Sequence, residues 1–325
     1  MDKTSENISK TNLSYGSSLV SGFNLYNKYL GRIFKLSWTK ALLFSLAYCL
    51  LAVIVSQFLP ETIRHTIIML ESSMPLSPDI YIAPMALLVS TIILGGIFEL
   101  MCYSCGTAIL SQHMLDETCN VNIRWWSIDV KCFWRILKAA ACNLLIGILC
   151  ILPFAAIMYF LPKNILTTPS EHTVSLCIIG LSMLVLALFT IPLWFCTTKY
   201  IYSYEHGYWK TLAINYSSGL RHMGHILIVV LITLIIISII GSIISLPANI
   251  LINANSQAFN GMLNGDPLGM PEGINVLAII TFIAIGFFQP LIRMPLLFTS
   301  YFMYKTIDSI EEERKQEIKE NQHID

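Results

Sequence analysis

Six long apolar stretches constrain this chain more than any other feature. They cover about 41–59, 82–110, 139–161, 174–198, 225–252 and 275–304. Each is near or above the ~20 residues that an α-helix needs to cross a bilayer. None alternates apolar and polar residues for long enough to make a barrel strand. Hydrophobic residues make up 55% of the chain and charged residues 12%, well below the ~25% charged share of soluble domains. A soluble fold of this length has no way to bury so much apolar surface. The expected fold class is therefore all-α: a polytopic integral membrane protein with six transmembrane helices.

Orientation follows from the basic residues between the stretches. The N-terminal flank carries Lys3, Lys10, Lys28, Arg32, Lys35 and Lys40. The second connection has Arg124, Lys131, Arg135 and Lys138; the fourth has Lys199, Lys210 and Arg221; the tail has Lys305, Arg314, Lys315 and Lys319. The three alternate connections together hold only Arg64 and Lys163. This asymmetry predicts cytoplasmic termini. No cleavable leader is expected, because the run from Ala41 to Leu59 lacks a small-residue cleavage site. The nine cysteines all fall in spans or cytoplasmic segments, which predicts reduced thiols. With small external loops, these points place the chain in a bacterial inner membrane.

Three segments follow from this pattern: residues 1–40 as a cytoplasmic tail and amphipathic interfacial helix, 41–304 as the transmembrane domain, and 305–325 as a charged cytoplasmic tail. Within the first, residues 22–38 put Tyr26, Leu30, Ile33, Phe34 and Trp38 at helical spacing, with Lys28, Arg32 and Lys35 between them. That is an interfacial helix or the charged flank of the first span. The Asn- and Gly-rich stretch 253–274 reads as an external loop with turns. The stretch from Asp308 to Lys319 reads as a solvated helix or a disordered end.

The spans group as three helical hairpins. Each has an aromatic-basic lead-in: Phe34-Lys35-Leu36-Ser37-Trp38, Phe133-Trp134-Arg135-Ile136-Leu137-Lys138, and Tyr208-Trp209-Lys210. Pro192-Leu193 and Pro290-Leu291 recur in two of the return helices. The tryptophans Trp38, Trp125, Trp126, Trp134 and Trp209 suit an aromatic belt, and with their basic neighbours they suit anionic headgroups. The run from Tyr204 to Leu220 (YEHGYWKTLAINYSSGL), followed by a very apolar span, resembles bacterial multi-span proteins of the glycerophosphodiester phosphodiesterase membrane-domain type. The likeness covers about residues 120–250. It implies an integral membrane module. It brings no phosphodiesterase domain and no catalytic residue.

Arg293 is the one Lys or Arg inside an apolar stretch. Such a residue costs about 2.5–3.5 kcal/mol at the centre of a membrane helix, so it calls for a partner. Glu99 is the acidic candidate. Glu99 and Arg293 each lie eleven residues before the cytoplasmic ends of their stretches, Leu110 and Tyr304. At 1.5 Å per residue that is roughly 16 Å, about mid-bilayer. The pair, with Gln289, is the expected polar centre, as a ligand site or as a structural pair. Pro192, Pro290 and Pro295 are the expected helix breaks; prolines of this kind free carbonyls and line binding sites in transporters.

Other groupings carry less. His222 and His225 share a helix face, with His206 upstream; His113, Asp116 and Glu117 form a loose cluster. Neither has the ligand set of a metal site. Cys102 and Cys105 make a C-x-x-C inside an apolar helix, where packing is the simpler role. Walker loops, G-x-S-x-G, H-E-x-x-H and dinucleotide fingerprints do not occur in the sequence. No metal, cofactor, catalytic residue or nucleic-acid partner is expected. The expected partners are membrane lipids, with an anionic lipid or small solute as ligand. The leading function is therefore a non-enzymatic membrane protein that binds or moves a lipid or small solute. A structural or assembly partner of another membrane protein is the first alternative, and a membrane enzyme acting on lipid is the second.

Overall fold

A computed structural model describes residues 15–55, 79–115, 130–160, 169–203, 205–263 and 273–322. Among them the regular elements are all helical. In chain order they are α1 (Tyr15–Val53), α2 (Asp79–Leu115), α3 (Val130–Phe160), α4 (Pro169–Tyr202), α5 (Tyr208–Arg221), α6 (Met223–Leu263), α7 (Ile274–Arg293) and α8 (Pro295–Gln322). Five stretches among the described residues are long and apolar enough to cross a membrane: Gly16–Val53, Pro84–Ser111, Val130–Leu152, Met223–Asn255 and Ile274–Asn321. Their outward faces carry large apolar side chains such as Leu46, Ile93, Leu144 and Ile243. Water would not tolerate contiguous surfaces of this kind, and they mark a membrane-embedded protein.

Three boundaries differ from the sequence expectation. The lead-in at 22–38 is the first part of α1 and runs unbroken into the apolar stretch. Its expected apolar face divides: Tyr26 and Ile33 are buried, while Leu30, Phe34 and Trp38 are exposed. The lead-in at 133–138 likewise belongs to α3. Only the third lead-in starts a separate helix, α5, which ends at His222. Second, α6 continues to Leu263, so Asn253, Asn255, Asn260 and Gly261 are helical rather than in a loop. Asparagine costs a helix only a few tenths of a kcal/mol, too little to stop one already propagating from an apolar core. Residues 264–272 lie outside the described set. Third, the apolar stretch 275–304 is two helices, meeting at Met294.

The chain divides into two compact units. The first comprises residues 1–27, 130–233 and 296–325. Its interior is aromatic. The Tyr200 and Tyr208 rings meet edge-on at 5.3 Å, and Tyr202 meets Tyr301 at 5.0 Å. Arg135 lies over the Tyr200 ring, 4.3 Å from its centre. It donates to the carbonyls of Tyr200 and of Ser203, the latter at 2.7 Å, and so closes the C-terminal end of α4. α5 sits against α4 where Gly219 faces Pro192; a Cβ at Gly219 would lie 3.2 Å from Pro192. Burial pushes the Tyr208 phenol up, so it remains a donor, bonded to Asn143.

The charged part of α8 is fastened within the same unit. Asp308 pairs with Lys199. Glu311, only 7% exposed, accepts from Arg221 Nη1 at 2.8 Å and meets His222 Nε2 at 3.0 Å. Two groups from the α5–α6 junction thus satisfy a buried carboxylate, as burial of charge demands.

The second unit comprises residues 28–129 and 234–295. Cys49, Ala248, Phe282 and Ile285 form its core, with Tyr48, Ala52, Ile244 and Ala278 packed around them. Gly286 makes this packing possible. A Cβ there would sit 2.9 Å from Ser45 Cα and 3.0 Å from Tyr48, closer than packed atoms approach. Small residues at helix contacts are the usual device for packing in lipid. Gly286→Val is expected to destabilise by about 1–3 kcal/mol, the typical cost of overpacking. Gly147→Ala, whose Cβ would meet no atom within 4 Å, should not destabilise, since alanine is the better helix former. Thermal unfolding in detergent checks both.

Candidate functional site

The second unit brings Glu99 and Arg293 together. Glu99 lies inside the apolar stretch of α2, and Arg293 is the last residue of α7. Arg293 Nη1 donates to Glu99 Oε1 at 2.9 Å. The equal depth counted from the two sequence ends therefore corresponds to a contact. Tyr103 Oη donates to the same Glu99 Oε1, also at 2.9 Å. Tyr103 is one helical turn beyond Glu99, where side chains share a face. One carboxylate oxygen thus accepts two hydrogen bonds, one of them charge-assisted.

Local backbone structure explains the position of Arg293. Pro295 has no N–H, so the Leu291 carbonyl, four residues back, has no helical donor from it. The Met294 N–H bonds that carbonyl instead, at 3.2 Å. The helix tightens there, α7 ends, and Pro295 opens α8, the position at which proline suits a helix start. Arg293 is then a cation in the last turn of α7, where the carbonyl end of the helix favours positive charge. Pro295 is therefore the break. Pro290 lies inside α7 and is buried there. Gln289 is half-buried, one turn before Arg293 on the same helix. Pro192 belongs to the first unit, buried against Gly219.

Exposure divides the pair. The Glu99 side chain is 19% exposed and the Arg293 side chain 45%. The carboxylate side chain is largely enclosed, while nearly half of the Arg293 side chain is exposed. Arg293 itself lies inside the apolar stretch 275–304. The arrangement can hold a negative charge at Arg293.

Two residues escaped the sequence reading. Tyr103 was readable as the i+4 neighbour of Glu99. Lys40 was counted with the basic flank, yet it is 3% exposed. Its Nζ donates to the Leu36 carbonyl at 2.7 Å, which also accepts from the Cys105 thiol at 3.7 Å. The signal was register: Lys40 falls on the face of Ile33, Leu36, Ala41 and Phe44, all buried. His222 is engaged by Glu311, and among the described residues no three His, Cys, Asp or Glu side chains gather as a metal site. The side chains of His113, Asp116 and Glu117 lie outside the described residues.

No protein-family model, curated protein or solved structure matches the chain.

The pair's energetics are testable without a ligand. Removing one partner leaves the other charge uncompensated in an apolar setting, which costs more than removing both. Glu99→Gln and Arg293→Gln should each destabilise, and the double variant should lose less than the two losses added together. Denaturant unfolding of the four proteins in the same detergent measures the coupling. Additive losses would mean that the two side chains act independently.

Proposed function

We propose that the protein is a non-enzymatic, multi-pass membrane protein that binds or moves a lipid or small solute, with Glu99 and Arg293 as its polar centre. One observation carries the reading. A guanidinium deep in an apolar stretch is paired on one side, at 2.9 Å, and 45% exposed on the other. A purely structural pair gains from enclosure of both charges, because half-exposed ions in lipid keep much of their insertion cost. A cation left open toward the outer face is suited to meet an anionic group.

The chain crosses the membrane six times. The sixth is α4, 34 residues long, which covers the apolar stretch 174–198. The crossings pair as three hairpins with cytoplasmic termini in a bacterial inner membrane. α5 lies along the cytoplasmic interface. What supports its placement is an inverted face pattern: Tyr208, Thr211 and Gly219 are buried, while Trp209, Ile214 and Leu220 are exposed beside Lys210 and Arg221. An interfacial helix turns its apolar face to acyl chains and its cations to headgroups. The likeness to membrane modules of the glycerophosphodiester phosphodiesterase type agrees with a membrane role free of hydrolase chemistry.

Mass spectrometry of the protein extracted in native lipid particles tests the site. A lipid or metabolite enriched on the wild type is expected to be lost in Arg293→Ala at matched folding. If both carry the same species in bulk-membrane proportions, the pair is structural, and the protein is read as an assembly partner. For topology, reporter fusions after Thr118 and Tyr208 should read cytoplasmic. A cytoplasmic signal near Gly265 would break the six-crossing arrangement.

A further inference from the structure

The donors around Glu99 are unevenly spent. Glu99 Oε1 accepts from both Tyr103 and Arg293. A guanidinium presents five N–H donors in a planar fork. Among the described residues, Glu99 is the one acceptor bonded to that of Arg293. The remaining donors belong to a side chain that is nearly half exposed and that lies inside an apolar stretch of the chain. A planar fork of donors matches a head with two anionic oxygens. The apolar surroundings match a hydrocarbon body.

The charge balance adds a condition. Glu99 and Arg293 together are neutral. An anion placed on Arg293 beside an ionised Glu99 would leave one uncompensated negative charge in an apolar setting, which is costly. It would also set two anions on one cation, and like charges at that range drive one of them to take up a proton. We infer that Arg293 binds the two-oxygen anionic head of an apolar molecule, a carboxylate or a phosphodiester, and that each head bound brings one proton to Glu99. The inference rests on the pair being a ligand site.

The exchange balances. An ionised Glu99 paired with Arg293, plus one anion and one proton, becomes a neutral Glu99 carboxylic acid beside Arg293 paired with the anion. The one covalent bond formed is O–H on Glu99. Arg293 keeps its protons throughout, as guanidinium does in proteins. Tyr103 continues to donate to Glu99 Oε1, which leaves Oε2 for the proton and holds the acid in place. A phosphodiester head draws the proton from water. A carboxylic acid arriving protonated supplies its own. The site is neutral before and after, as the surroundings require.

Other titratable groups nearby do not take this part. Facing the pair are Tyr103 and Cys102 on α2 and Tyr48 on α1, with Lys40 of α1 beyond Cys102. Among the described residues none of these is hydrogen-bonded to Arg293, as Glu99 is. Glu99 is the group whose charge the anion contests.

The test uses full-length protein in phosphatidylcholine nanodiscs. Phosphatidylglycerol is titrated into one set and oleate into another, and bound molecules are counted by native mass spectrometry across a pH series. The phosphatidylglycerol phosphodiester stays ionised throughout, so its pH slope reports the protein alone. One coupled proton predicts about a tenfold loss of affinity per pH unit on raising the pH. Glu99→Gln should bind with no slope, Arg293→Ala should not bind, and Tyr103→Phe should keep the slope. Binding of phosphatidylglycerol alone identifies a lipid headgroup as the ligand; binding of oleate alone identifies a free acid, with affinity then reckoned on its ionised form. A Glu99→Gln slope equal to that of the wild type overturns the proton coupling and leaves the site standing. Equal binding by wild type and Arg293→Ala overturns the site itself. Failure of the wild type to bind either probe overturns the ligand class. A monodisperse elution profile for each variant separates these outcomes from misfolding.

Discussion

Charge in an apolar medium must be neutralised where it stands, and the polar groups of the second unit are arranged around that requirement. A lone Arg293 at its depth would cost about 2.5–3.5 kcal/mol on insertion scales. Glu99 offsets part of that cost through a 2.9 Å contact, and Tyr103 fixes the carboxylate from its own helix. The contact requires α2 and α7 to meet at one level and in one rotation. Packing elsewhere in the unit supplies those conditions. Gly286 lets α7 approach Ser45 and Tyr48, and Phe282 and Ile285 on the same helix enter the core with Cys49.

The helix break serves the same end. A continuous helix through residues 274–304 would hide the carbonyl ends that favour a cation. With Pro295 unable to donate, α7 ends at Arg293 and the Met294 N–H takes the Leu291 carbonyl. The cation then sits at the negative end of a helix as well as beside a carboxylate. Lys40 meets the burial requirement in a different way: its ammonium donates to a carbonyl of its own helix. Two buried or half-buried cations in one unit thus have different kinds of partner. Of these two, Arg293 combines an ion pair with an exposed side chain.

In the first unit the same rule holds α8 in place. Glu311 is a charged residue within a run that, by composition, belongs wholly to solvent. Its burial is possible because Arg221 and His222 both reach it. Sequence spacing gave no sign of this, since ninety residues separate Arg221 from Glu311. The spacing of His222 and His225 on one helix face gave no sign of Glu311 for the same reason: a helix face shows which residues are neighbours along the chain, and says nothing of what approaches from another helix. Tyr103 was different. Its relation to Glu99 lies within one turn of one helix and was open to reading.

The sequence by itself determined the solvent of this protein, its helical character and the one level at which charge inside the apolar stretches needed an opposite charge. Hydropathy, length and charge spacing are local properties that add along a chain, and a bilayer turns them directly into spans and depths. Tertiary structure decided the rest. It merged two lead-ins with their spans, chose Pro295 over Pro290 as the end of a helix, turned Lys40 inward, and gave Glu99 Oε1 two donors while leaving the outer side of Arg293 open. These outcomes depend on how helices are rotated and set against one another. That is fixed by contacts between residues far apart in sequence, such as Gly286 with Ser45, and no local pattern encodes it.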